Sequence, residues 1–218
     1  MTDSTPPCRL VVLISGRGSN MQAIAEHIEQ AGLNGRIQAV IANKADASGL
    51  QWARQHGLDT QVVAHREFAT REAFDQALAR VIDRYQPDYV LLAGFMRILT
   101  TDFVQHYAGK LVNIHPSLLP SFPGLNTHQQ AIDAGVQFHG CSVHFVTPVL
   151  DHGPIIAQSL VPVLQGDDAQ ELARRVLATE HQVYTQAVQW LVQGRVSLRD
   201  DGRVQVDGVA QRGFYFPA

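Results

Sequence analysis

The stretch RLVVLIS, residues 9–15, is apolar at every position from Leu10 to Ile14 and then stops at GRGS. A strand with one wet face alternates apolar and polar residues; a run without alternation suits a strand covered on both faces, as in a parallel sheet. Beyond the glycine turn, Met21, Ile24, Ala25 and Ile28 recur at helical spacing, and the helix should end near Gly32. The same cycle returns with RIQAVIAN and a short helix over 50–56. It returns again with TQVVAH and a longer helix through Phe74, Leu78, Val81 and Ile82, with Thr70 as its cap. DYVLLAG and KLVNIH add two strands, with a short helix over 101–107 between them. Strands alternating with helices through short loops mean βαβ units and right-handed crossovers. The fold class is therefore α/β: a three-layer, mostly parallel, Rossmann-like sheet with helices on both faces.

After His115 the texture changes. A proline-rich loop leads to a short helix over 127–134, two strands, CSVHFVT and PIIAQSLVPV, and a long helix over 168–190. The two strands, joined through PVLDHG, form an antiparallel extension. RVSLRDDGRVQVDG alternates around Asp-Asp-Gly and reads as an edge hairpin. One domain is expected over 1–218, with a flexible tail over 1–8 and a C-terminal hairpin and tail over 195–218.

Of the 218 residues, 45% are hydrophobic and 17% charged, enough for a sizeable core, and the formal net charge is −3. Lys and Arg are scattered, so no footprint for nucleic acid or an anionic membrane is seen, and a small-molecule partner is expected. No apolar run reaches the ~18 residues of a membrane span, and the first ten residues lack the pattern of a signal peptide, so a cytoplasmic location is expected. Cys8 and Cys141 stand alone, without CxxC spacing; both are expected to be inert thiols.

Ligands of open α/β sheets bind beyond the carboxyl ends of the strands, so SGRGSN, ANKADASG, AGFMRIL and NIHPSLLP should converge on one rim. SGRGSN places two glycines in a strand-to-helix turn, suited either to a phosphate or to an ordinary tight turn. It lacks the GxGxxG order and the Walker lysine, and Ser19 is no GxSxG nucleophile. In NIHPS, Asn113 and His115 alternate with Val112 and Ile114, so both side chains leave one face of an extended segment. An amide N–H beside an imidazole can hold an oxyanion and supply a proton, although a histidine at a strand end also serves as a plain hydrogen-bonding residue. Asp151, in the turn LDHG, either bonds its own backbone or stands near His115 and keeps that imidazole charged. The histidines at 115, 128, 139, 144 and 152 match no metal-ligand spacing. Arg71 and Arg97 could pair with an acidic ligand, and Glu180 lies within the long helix.

Taken in order, VVLISGRGSNMQAI, NKADASGL, AGFMRILT, NIHPSLLPSFPGLNTHQQA, GCSVHFVTPVLDHGPII and ATEHQVY resemble the folate-dependent phosphoribosylglycinamide formyltransferases, also called glycinamide ribonucleotide transformylases. The resemblance runs collinearly to about Trp190, and it implies the formyltransferase fold. It further implies that the glycine turn, at Gly18, Ser19 and Asn20, binds the ribonucleotide phosphate, with Glu180 contacting that substrate. Folate would lie on Met96, Arg97, Ile98 and Leu99, with Arg71, Asn113, Thr147, Pro148, Val149 and Leu150 adding contacts. The catalytic trio would be Asn113, His115 and Asp151. Departures are Arg17 between the glycines, His152 between Asp151 and Gly153, and a C-terminal stretch after Gly194 without a match.

The resemblance implies transfer of the formyl group of 10-formyltetrahydrofolate, the co-substrate, to glycinamide ribonucleotide in purine synthesis. No metal is called for, because a formyl group on a folate nitrogen is already activated. A monomer or weak homodimer is expected. The related formyltetrahydrofolate deformylases carry an extra N-terminal domain, whereas here VVLISG starts after about ten residues. Methionyl-tRNA formyltransferases are longer, with an RNA-binding barrel. A non-catalytic folate- or nucleotide-binding module is the remaining alternative.

Overall fold

In the computed structural model, which describes residues 6–217, the apolar run forms β1 (Cys8–Ile14), and Leu10 to Ile14 have no solvent exposure at all. It pairs in parallel with β2 (Gly35–Ala42) on one side and β4 (Tyr89–Leu92) on the other, and β3 (Thr60–Val62) joins β2, also in parallel. The order is β4-β1-β2-β3. These strands belong to the first of two compact units, which ends at Leu111. Its helices are α1 (Ser19–Gln30), α2 (Ser48–Gln55), α3 (Arg71–Asp83) and α4 (Thr101–His106). Thr70 caps α3 as expected, its hydroxyl accepting from the Ala73 amide at 3.2 Å. β3 is shorter than TQVVAH suggested, because the chain turns where His65 bonds the Asn43 carbonyl through both its amide and Nδ1. Of the expected N-terminal tail, residues 1–5 lie outside the described residues, and Cys8 already belongs to β1, donating its amide to Asn34.

The second unit begins at Val112, within β5 (Leu111–His115), and continues with α5 (Thr127–Asp133), β6 (Phe138–Phe145) and β7 (Ile155–Pro162). β5, β6 and β7 are successively antiparallel; the β6–β7 pair is the expected extension, whereas the antiparallel pairing of β5 with β6 was not among the expectations. β6 starts earlier than CSVHFVT, because His139 and Gly140 already pair with Val161 and Leu160. A side chain at Gly140 could not fit: a Cβ there would lie 1.8 Å from the Ser159 carbonyl oxygen. α6 (Ala169–Val192) opens on a capping box in which Asp168 accepts from the Gln170 and Glu171 amides at 2.8 Å, and Glu171 accepts from the Asp168 amide. Its apolar stripe of Leu172, Val176, Val183, Ala187, Val188 and Leu191 is buried.

The expected C-terminal hairpin is present as β8 (Val196–Leu198) and β9 (Val204–Val206), which form a two-stranded sheet of their own. A further strand, β10 (Gly213–Tyr215), lies parallel to β7. Nothing in so short a segment marks it as a strand; its partner selects it.

Because the Ser159 carbonyl occupies the space a side chain would need, Gly140→Ala is expected to destabilise the protein by about 2 kcal/mol. Equilibrium urea unfolding measures this, and an unchanged midpoint would show that the two strands do not close there.

Candidate active site

Parallel pairing puts the carboxyl ends of β1, β2 and β4 on one edge of the first unit, and three of the expected segments meet there. The Gly16 carbonyl accepts from the Gly49 amide at 3.0 Å, and the Met96 amide donates to Ser15 Oγ at 2.8 Å. Gly49 is needed because a Cβ would stand 2.9 Å from the Arg17 carbonyl. Gly18, at φ +68°, is the N-cap of α1, whose first turn has neither a side-chain cap nor an acidic residue. The amides there, including those of Ser19 and the buried Asn20, thus face the positive end of a helix dipole with no internal carboxylate, which suits an anion. Met96 and Ile98 are 67% and 56% exposed, apolar side chains on display, and the Arg97 guanidinium lies 5.8 Å over the Phe74 ring. Arg71 is the first residue of α3 and is exposed; Leu99 is half-buried.

In the second unit, Asn113 and His115 leave the same side of β5. Asn113 pairs across the strands with His144, and its Nδ2 lies 3.3 Å from His144 Nε2. His144 Nδ1 lies 2.9 Å from the Phe145 carbonyl. Donation to that carbonyl leaves Nε2 as an acceptor for one Asn113 N–H, and burial of His144, which lowers its pKa, favours this neutral form. The second Asn113 N–H is then oriented and available. His144 escaped the sequence reading, which weighed it only as a metal ligand; its role depends on the β5–β6 register.

His115 is buried, and both ring nitrogens face acceptors. Nε2 is 3.2 Å from the Phe122 carbonyl, and Nδ1 is 3.6 Å from Asp151 Oδ1, an ion-pair distance. Asp151 does not bond its own turn: its Oδ2 accepts from the Gly124 amide at 2.9 Å, across 27 residues of sequence. Gly153 lets the turn close, since a Cβ there would lie 1.6 Å from the Phe145 carbonyl oxygen. Beside Asp151, Val149 and Leu150 are exposed, Pro148 is exposed, and the Thr147 hydroxyl donates to the Val149 carbonyl. His152 is exposed and bonds the Leu150 carbonyl. Glu180 is half-buried on α6, not on an open face, and its charge acts on Cys141, whose buried thiol is pushed up to about 12. Cys8 is likewise raised, to about 11. Among the described residues, no group of three or more His, Cys, Asp or Glu is placed to hold a metal ion, and no helix is long and apolar enough to cross a membrane.

An oriented amide, a histidine between two acceptors and a carboxylate behind it stand together on an α/β fold, an arrangement whose donors could hold an oxyanion. The chain belongs to the formyl transferase family, whose model matches residues 8–188. Over 192 residues it is 50% identical to phosphoribosylglycinamide formyltransferase of Escherichia coli (strain K12), covering 88% of this chain and 91% of that one. It is 46% identical over 196 residues to the trifunctional purine biosynthetic protein adenosine-3 of Bos taurus, covering 90% of this chain but 19% of that longer protein. A solved structure of phosphoribosylglycinamide formyltransferase from Coxiella burnetii, in complex with CHES, superposes with a TM-score of 0.88 at 46% identity, over 97% of this chain and 100% of that one.

Behind the site, His139 has no solvent exposure and no hydrogen-bond partner of standard geometry, and its ring packs 5.2 Å from that of His128 and 5.9 Å from that of Phe122. Burial, with His128 and His115 adding, lowers its pKa to about 4. An unfolded histidine titrates near ~6.5, so between about pH 6.5 and 4 the unfolded chain binds a proton that the native one excludes. Stability is complete above this window and falls as pH drops through it. His139→Phe is expected to flatten the acid limb of unfolding free energy against pH by up to one proton's slope; an unaltered slope by urea titration would contradict the assignment.

Proposed function

We propose that the protein transfers the formyl group of 10-formyltetrahydrofolate to the amine of glycinamide ribonucleotide, giving formylglycinamide ribonucleotide and tetrahydrofolate in de novo purine biosynthesis. The observation that carries this reading is His115 clamped between Asp151 and the Phe122 carbonyl, two residues after an amide already oriented by His144.

The glycinamide amine attacks the formyl carbon, a C–N bond forms, and the formyl oxygen becomes negative. At His115 Nε2 the formyl oxygen replaces the Phe122 carbonyl, while Asp151 stays at Nδ1 and supports the imidazolium. The free N–H of Asn113 donates to the same oxygen. The attacking nitrogen then loses a proton, folate N10 gains one, and the bond from N10 to the formyl carbon breaks, releasing tetrahydrofolate; Asp151 assists the proton movement through water. The amides that follow Gly18 at the start of α1, at Ser19 and Asn20, take the ribonucleotide phosphate, and Glu180 contacts the same substrate. Exposed Met96 and Ile98, with Arg97, Leu99 and Arg71, supply the folate contacts of the first unit, and Asn113, Thr147, Pro148, Val149 and Leu150 those of the second. The cytoplasm is the compartment that fits two unpaired thiols and small soluble substrates.

Appearance of tetrahydrofolate with and without glycinamide ribonucleotide tests the reading. Ribonucleotide-dependent turnover supports it; formate release without ribonucleotide identifies a deformylase, and no turnover identifies a binding module. Asn113→Ala is expected to lower kcat by about 10²-fold, with a smaller rise in KM for 10-formyltetrahydrofolate from the lost folate contact, the signature of an interaction made mainly in the transition state; a rise in KM at constant kcat would make Asn113 a binding residue only.

A further inference from the structure

Residues 95–100 form neither helix nor strand, yet they hold Met96 and Ile98 out in solvent. A segment that displays apolar side chains without secondary structure of its own must be held by other groups, and two side chains do so, one at each end. Ser15, 7% exposed, accepts the Met96 amide at 2.8 Å from 81 residues away in sequence. Asp75, 3% exposed, accepts the Thr100 amide at 2.6 Å through Oδ2. Thr100 in turn caps α4 with its hydroxyl, so the second pin also fixes where the next helix begins.

Asp75 is a costly residue for this task if stability alone were at stake. Burial pushes its carboxyl up, against the Thr100 hydrogen bonds and the charges of Arg71 and Arg97. Its Oδ1 is buried without a hydrogen-bond partner, and so is Arg97 Nε. A buried charge with a half-satisfied surround adds little stability compared with an apolar residue, and such groups are retained where geometry matters.

We infer that Ser15 and Asp75 are positioning residues that pin the two ends of segment 96–100 in its folate-binding conformation. Ser15, the first residue of SGRGSN, also ties that segment to the glycine turn. The inference rests on the folate reading above. Neither residue need touch folate; each acts through a backbone amide.

Two measurements on Ser15→Ala, Asp75→Ala and Asp75→Asn test it: amide hydrogen exchange at Met96 and Thr100, and steady-state kinetics with 10-formyltetrahydrofolate. Expected are at least about tenfold faster exchange at Met96 in Ser15→Ala and at Thr100 in Asp75→Ala. With it, KM for 10-formyltetrahydrofolate should rise about fivefold to tenfold while kcat stays within about threefold, the size of one lost hydrogen bond. Asp75→Asn keeps an oxygen for the Thr100 amide and should recover most of both effects; if Asp75→Ala does not fold, exchange at Met96 and folate KM in Ser15→Ala decide the proposal. Unchanged exchange in Ser15→Ala and Asp75→Ala overturns the pins, and faster exchange with unchanged folate KM overturns the positioning role. Absence of formyl transfer in the wild type overturns the folate reading instead, and the exchange rates still decide whether the pins exist.

Discussion

The clamp on His115 depends on backbone that most residues avoid. The two acceptors facing its ring nitrogens belong to Phe122 and Asp151, and these have φ of +54° and +53°. Left-handed conformations at non-glycine residues cost about 1 kcal/mol or more each and persist only where the surroundings over-determine them. Here both fall on the residues that hold the imidazole, so local backbone preference has been given up for the orientation of one side chain.

The surroundings that hold this strain can be named. Ser142 Oγ accepts from the Leu119 amide and donates to the Ser117 carbonyl, and Gln158 donates to both Ser142 Oγ and the Leu119 carbonyl. Thr127 bonds the Pro116 carbonyl and Gln130 the Leu125 carbonyl. The loop after β5 is therefore fastened by side chains from β6, β7 and α5, which puts the Phe122 carbonyl at Nε2 of His115. On the other side, the Gly124 amide holds Asp151, and Gly153 allows the turn to press against the Phe145 carbonyl. Strand pairing, loop fastening and turn closure meet at one imidazole.

Much of the frame was legible because it is written in local periodicity. The unbroken apolar run of β1, the Thr70 cap and the stripe of α6 each carry their own signal within a few residues. β10 was not legible, since three residues gain strand character only from pairing with β7. In the same way Asn113 and His115 could be placed on one face, but not the His144 partner, which needs the register of β6 against β5. The residues of the turn alone could not decide whether Asp151 bonds its own backbone or stands by His115, because its decisive bond, to the Gly124 amide, spans 27 residues. The nonlocal half of the site is the half that orients it.

If Asp151 works through His115, the two form one unit, and losses from removing them must not add. The most direct measurement is a double-mutant cycle in kcat/KM for ribonucleotide-dependent formyl transfer with His115→Ala, Asp151→Ala and the double variant. The clamp predicts that the double variant is about as slow as His115→Ala alone. Losses that multiply would contradict it and make Asp151 an independent contributor.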